Sequence, residues 1–350
     1  MKPTIEPSTG PSVWRGPEMA ARSDWITVLD DADVAELRAA LAEVVRRGIG
    51  IPALKREDFP IPRVARKLEA IRRQLEDGTG FALIRGLPVA MFSKLESALV
   101  FWGMGSHLGP AFAQNAQGDM LGHVRDLGAS TSDTKARGYQ TRARLPFHND
   151  STDVVGLLCL NQSKSGGESR IVSSGAVHNA MLEQRPDLCE AMYGPFCVDR
   201  RGEESPGQKP YYTTTFFCRH EGRLFVKYNR GYVESAQRFA DVPRLTDTQR
   251  AALDMMDALC NDPAFHLDMK FEPGDIQFVC NHSVLHSRAT YEDWPEPERK
   301  RHLLRLWLRT PGFASPPESY AERNADMLAW QKAPRAPVFD ASEIAAELAH

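Results

Sequence analysis

The stretch "LPFHNDSTDVVGLLCLNQSKSGGESR", residues 145–170, decides how the chain is read. A β run closes on a polar cluster, a more apolar run follows, and the turn signal "SKSGGES" ends it, a hairpin-like succession of β segments. The same grammar recurs on either side. "GFALIRGLP" (80–88) is an apolar run bounded by Gly and Pro and predicts a buried strand. Downstream, "TTTFFCRHEGRLFVKYN" predicts two β runs joined by His220, Glu221 and Gly222, and "FHLDMKF", "IQFVCN" and "RHLLRLWLR" add three more.

Helical periodicity sits in front of these strands and between them. Asp30 or Asp31 can cap a helix through "DADVAELRAALAEVVRRG", where apolar residues recur at three and four and Gly48 provides a stop. A second helix is predicted over "IPRVARKLEAIRRQLEDG". Ser174 is placed to cap "GAVHNAMLEQ", which Pro186 closes, and "TDTQRAALDMMDALCN" gives a further helix. Many short strands with Gly turns and helices around them predict a mostly β chain of the α+β class, an antiparallel sandwich or barrel with helical cover. Helices do not alternate regularly with the strands, which argues against a doubly wound parallel sheet. The dinucleotide-binding, P-loop and nucleophile-elbow fingerprints are all missing from the sequence.

Composition narrows the function classes. The 350 residues are 42% hydrophobic and 25% charged, enough for one large domain with a full core. The 43 Lys and Arg against 46 Asp and Glu leave a formal charge of −3, so neither nucleic acid nor an anionic membrane is expected as a partner. Cys159, Cys189, Cys197, Cys218, Cys260 and Cys280 show no C-x-x-C pair or zinc spacing and read as reduced core thiols. With no secretory leader and no long apolar run, a cytoplasmic location is expected. The Pro- and Gly-rich residues 1–25 read as a flexible segment, 26–335 as a single domain with a lid insertion near 199–216, and 336–350 as a helical tail. The tail suits packing on its own chain or on a second copy, so a homo-oligomer stays open.

Three elements carry chemistry. On a strand, His148 and Asp150 project to one side while Asn149 faces away, the geometry for two ligands of one metal. Taken alone, H-x-D is more often the polar end of an ordinary strand. The second element is "FVCNHSVLHSRATY", whose His286 folding can bring beside His148 across 138 positions; His282 is expected to face elsewhere or to support the site from behind. Two imidazoles and one carboxylate leave half an octahedral sphere open, as non-haem Fe(II) oxygenases require. The third is "RKRHLLRLWLR", where Arg301, Leu303, Arg305, Trp307 and Arg309 share one strand face. Such a face is either an exposed basic edge or a pair of carboxylate clasps.

In this order, H-x-D, the late His and an Arg about 15 residues on, the three elements resemble the TauD/TfdA-like family of Fe(II)- and 2-oxoglutarate-dependent dioxygenases. "SGGES" and "QNAQGDMLGHVRDLG" (114–128) add to the likeness, which spans roughly residues 80–312. The resemblance implies a double-stranded β-helix, a jelly-roll, cupin-like core. It implies His148, Asp150 and His286 as Fe(II) ligands, Arg301 with Ser169 on the distal carboxylate of 2-oxoglutarate, and Arg305 toward an acidic group of the substrate. Ser169 keeps the hydroxyl of the family's common Thr but not its methyl. The implied reaction consumes O2, releases succinate and CO2, and oxidises, most simply hydroxylates, an unactivated C–H bond of a small molecule. A small carboxylate, an amino acid or a natural-product intermediate would fit. The presence of Asp150 speaks against halogenation, for which the family replaces the carboxylate. The rivals are a non-catalytic cupin-like binding protein and a zinc hydrolase, and the second leaves Arg301 unexplained.

Overall fold

Asp30 accepts the backbone N–H of Asp33 and opens the helix Asp31–Arg47, which ends where Gly48 turns left-handed at φ 65°. Leu37, Ala40, Leu41 and Val44 fall on its buried stripe, and Val64, Leu68, Ile71 and Leu75 do the same on the helix Pro62–Asp77. Both helices and the helix Lys94–Ser106 share one apolar cluster with a seven-stranded sheet. The computed structural model describes residues 5–128 and 138–339. The expected tail helix falls mostly on 340–350, outside the described residues, and 336–339 are not helical.

The large sheet runs Ile26–Val28, Phe81–Arg85, Ile276–Cys280, Val154–Asn161, His302–Leu308, and the last strand also pairs with Leu121–Val124 and Ala111–Phe112. A four-stranded sheet runs His266–Met269, Ser169–Ser173, Val284–Arg288, Leu145–His148. All pairings in the two sheets are antiparallel except Ile26–Val28 with Phe81–Arg85. Along the chain, strands cross from one sheet to the other: Leu145–His148 small, Val154–Asn161 large, Ser169–Ser173 small, and again His266–Met269, Ile276–Cys280, Val284–Arg288, His302–Leu308. The hairpin-like succession read over residues 145–170 is therefore not a hairpin. Gly166 and Gly167, at φ 69° and 75°, turn the chain out of the large sheet, and Ser165–Gly166 pairs instead with Tyr291–Glu292.

The pleat sorts the small sheet's side chains. Phe147, Val172 and Leu285 join a second apolar cluster with the helices Ser174–Gln184, Pro186–Met192 and Asp247–Asn261. Their neighbours His148, Ile171 and His286 point the other way, and Ile171 belongs to the large sheet's cluster. Ser173, rather than Ser174, caps the helix Ser174–Gln184, and Pro186 both ends it and starts the next, where its missing N–H costs nothing.

Two loop readings change. Residues 5–25 are not loose: Trp14 donates to the Thr79 carbonyl at 2.8 Å, Trp14 and Trp25 pack on Phe81, and Met19 is buried. Three large apolar side chains outweigh a Pro- and Gly-rich composition. The 199–216 insertion is built on a β-ladder, Pro195–Asp199 against Tyr211–Thr215, whose connecting loop is pinned by buried Arg200 to Asp326 at 2.6 Å. Among the described residues no helix is long and apolar enough to cross a membrane, and all six cysteines are unpaired.

Asn149 ties the sheets together at the open end. Its Nδ2 donates to the carbonyls of Asn281 at 2.8 Å and Val284 at 2.9 Å, and its Oδ1 accepts the N–H of Tyr228 at 2.9 Å. Asn149→Ala orphans three buried backbone groups and is expected to lower stability by about 2–4 kcal/mol, read from urea unfolding.

Candidate metal centre

His148 ends the strand Leu145–His148 and lies in register with His286 on the neighbouring strand. Their rings are 4.4 Å apart between centroids. Asp150 was expected on the same strand, but it lies in the turn beyond it, where its N–H donates to Asn281 Oδ1 at 3.0 Å. The convergence is the one expected, achieved by a turn that a side chain holds. Asp150 Oδ1 is 4.0 Å from His148 Nε2 and Oδ2 is 3.9 Å from His286 Nε2. One donor atom from each residue falls within 4.8 Å of the other two, and among the described residues this is the one such group.

The protonation states suit a divalent cation. His148 Nδ1 donates to the Pro146 carbonyl at 2.9 Å, which leaves the Nε2 lone pair facing the centre. Burial pushes the His148 imidazolium below its ordinary range and drives His286 down to about 3, so both rings are neutral at pH 7. Burial opposes ionisation of Asp150 as well, but Arg305, the two imidazoles and Trp307 outweigh it and hold the carboxyl below the usual carboxylate range. Trp307 Nε1 donates to Asp150 Oδ2 at 2.8 Å, and Arg305 Nη1 lies 3.4 Å from the same oxygen. Two neutral imidazoles and one carboxylate with an oriented lone pair form a donor set for Fe(II).

Two cavities meet at this triad. The smaller, about 50 Å³, is lined by His148, Asp150, His286, Ser169, Arg301 and Arg305 among others, so every residue singled out in the sequence reaches it. Arg301 is 5% exposed, its guanidinium lies over the Tyr291 ring at 5.1 Å, and its Nη1 has no hydrogen-bond partner. No carboxylate of the described residues pairs with it. Gly167 makes room here, since a Cβ on it would stand 3.2 Å from Arg301 Nε. Ser169 Oγ is 3.3 Å from Gln277 Oε1. Arg305 is engaged, with Nε on Gln114 Oε1 at 2.8 Å. His282 turns away to Asp153, at 3.0 Å.

The larger cavity, about 310 Å³, exposes His148, Asp150 and Arg305 together with Tyr212, Phe216, Lys227 and Arg323. Tyr212 and Phe216, in the 199–216 insertion, line it, whereas Tyr211 donates to Asp241 at 2.6 Å. Sequence reasoning gave no role to Trp307 or Gln114. Trp307 stands on the face shared with Arg301 and Arg305, so strand periodicity could have flagged it. Gln114 had no such signal.

The comparisons agree with this geometry. The family model described as "Taurine catabolism dioxygenase TauD, TfdA family" matches residues 47–307. FR-33289 synthase of Streptomyces rubellomurinus is 34% identical over 331 residues, 93% of this chain and 97% of that protein. Among solved structures, asparagine oxygenase in complex with Fe(II), 2S,3S-3-hydroxyasparagine and succinate superposes with a TM-score of 0.63 at 17% identity, covering 82% of this chain and 94% of that one. The oxygenase OrfP in complex with Fe and α-ketoglutaric acid gives 0.61 at 13% identity, covering 81% and 94%.

Trp307→Phe keeps the ring and removes the N–H, and is expected to weaken Fe(II) binding roughly 10–100-fold by anaerobic calorimetry while leaving the unfolding transition in place. Burial also holds His123 down, to about 4, beside His286 at about 3. Between those values and about 6.5 the unfolded chain binds more protons than the folded one. Stability of the metal-free protein is therefore expected to rise with pH through the range from about 3 to about 6.5, read as the urea midpoint against pH.

Proposed function

The chain belongs to the TauD/TfdA family of Fe(II)- and 2-oxoglutarate-dependent dioxygenases, and on that premise we propose how its residues divide the work. His148, Asp150 and His286 hold the iron. When bound, iron and 2-oxoglutarate together activate O2 to oxidise a C–H bond, with release of succinate and CO2. Arg301 receives the distal carboxylate of 2-oxoglutarate at the closed end of the smaller cavity, with Ser169 beside it. The observation that carries this reading is Arg301 itself, a buried guanidinium that pairs with no acid among the described residues, next to a triad of neutral imidazoles and carboxylate. A bare buried cation is costly, and an incoming carboxylate removes that cost through paired charge-assisted hydrogen bonds. A zinc hydrolase would leave it idle.

The strands that cross repeatedly between two sheets support reading the core as a jelly-roll, a double-stranded β-helix with the metal at its open end. The larger cavity receives the substrate, and the ladder Pro195–Asp199 with Tyr211–Thr215 forms its outer wall. Arg305 lines both cavities and borders the substrate where they meet. The substrate is a small molecule with an acidic group, such as a carboxylate, an amino acid or an acidic natural-product intermediate, and hydroxylation is the default outcome. Six unpaired thiols suit a cytoplasmic enzyme.

Anaerobic protein with Fe(II) and 2-oxoglutarate is expected to show a visible charge-transfer band and, on admission of O2, to yield succinate. His148→Ala and Asp150→Ala should lose both while remaining folded. Arg301→Ala should raise the 2-oxoglutarate concentration needed for half-maximal band intensity by roughly 30-fold or more, the loss of about 2 kcal/mol from a buried charge pair. A larger co-substrate defect in Arg305→Ala would reverse the two arginines.

A further inference from the structure

The larger cavity is unusually cationic. Arg144, Arg201, Lys227, Arg230, Arg305 and Arg323 line it against two carboxylates, Asp150 and Asp199. Several of these charges are spoken for. Arg230 is held by Glu234, Asp254 and Asp257, Arg305 by Asp150 and Gln114, and Asp199 is taken by Arg238. Lys227 is different. No carboxylate of the described residues lies within ion-pairing distance of its ammonium, which rests between two aromatic faces, 5.7 Å from the Tyr212 ring and 5.0 Å from the Tyr320 ring.

Arg323 faces the same Tyr212 ring, 5.9 Å from its centroid. It donates to Ser151 Oγ at 3.2 Å and makes looser ion pairs with Glu203 at 3.7 Å and Asp326 at 3.8 Å. Asp326 is committed to Arg200 at 2.6 Å. Burial pushes the Lys227 ammonium down to about 7, with Arg323 and Arg309 acting in the same direction and Asp326 against them. Burial also lifts the Tyr212 phenol to about 12, so its hydroxyl remains a donor. An under-neutralised ammonium, a guanidinium and a phenol thus face one cavity that also exposes His148 and Asp150 of the triad.

We propose that Lys227 and Arg323, set against Tyr212, seat the acidic group of the substrate as an oxyanion, either a carboxylate or a phosphoryl group. This rests on the reading that the larger cavity receives the substrate, and it moves the acid's anchor from Arg305 to Lys227 and Arg323. An anion there supplies the counter-charge that Lys227 lacks, and holding the acid there orients the rest of the molecule toward the metal. Lys227 and Arg323 are then specificity-determining residues for the reaction.

The test uses the full chain loaded with Fe(II) and saturating 2-oxoglutarate under argon, titrated calorimetrically with methylphosphonate and, separately, with acetate. Wild type is expected to bind at least one of them. Lys227→Met should weaken that binding roughly 30-fold or more, whereas Lys227→Arg should retain it. Preference for methylphosphonate assigns a phosphoryl substrate, and preference for acetate assigns a carboxylate. The 2-oxoglutarate band in each sample reports a folded, loaded site. With the band present, equal affinity in Lys227→Met, or binding of neither anion by wild type, overturns the proposal and leaves the dioxygenase reading standing. A wild type that forms no band overturns that reading instead.

Discussion

The carboxylate of Asp150 is the constraint on which the site turns. A buried acid takes up a proton unless positive charge and hydrogen-bond donors surround it, and a protonated Asp150 would be a poor ligand. Trp307 and Arg305 prevent this from one strand, His302–Leu308, at neighbouring positions of its period-2 face. Arg301, four residues before Arg305, falls on the same face just ahead of the strand. One stretch therefore supplies the charge that keeps the Asp150 carboxylate ionised and a second, buried guanidinium in the smaller cavity. A rise of about 3.3 Å per residue sets how far apart the two arginines stand.

The two histidines depend on the opposite property, exclusion of charge. They lie on the interior face of the small sheet, opposite residues that belong to the helical cluster, and burial keeps them neutral. A sheet with one face dry against helices and the other facing a second sheet can hold neutral ligands and charged clasps a few ångströms apart. The small sheet's dry face fixes the pleat, so His148 and His286 cannot rotate out without burying a polar ring among Phe147, Val172 and Leu285.

This division explains what the sequence shows and what it hides. Strands and helices were legible because their apolar periods are strong: Leu37 to Val44 and Val64 to Leu75 fall on single stripes. The metal triad, Arg301 and Arg305 were legible because few residue types perform their chemistry. The path between strands was not, because "SKSGGES" has the composition of a hairpin turn and nothing local says that Gly166 and Gly167 send the chain to another sheet. Residues 5–25 were misjudged because composition averages over Trp14 and Met19, whose burial is a tertiary fact. Lys227 is invisible to pattern reading: its distinction is that no carboxylate among the described residues pairs with it, which only packing shows.

The segment Asn149–Asp153 connects the two ends of the site. Its five polar residues bond to five different places. Asn149 holds Tyr228 and two carbonyls, Asp150 holds Trp307, Ser151 accepts from Arg323, Thr152 donates to the Leu308 carbonyl at 2.7 Å, and Asp153 accepts the N–H of Thr310 at 3.0 Å. The residue that orients the metal-side carboxylate and the residue that touches the cationic wall are thus adjacent in the chain. Tyr228, fixed by Asn149, directly follows Lys227. Lys227 and Arg323 are linked to both flanks of Asp150 through Asn149 and Ser151, whereas Arg305 and Trp307 hold its carboxylate from a different strand. Five consecutive side chains thus join the cationic lining of the larger cavity to the triad, and each member of "NDSTD" is committed to a partner within the protein.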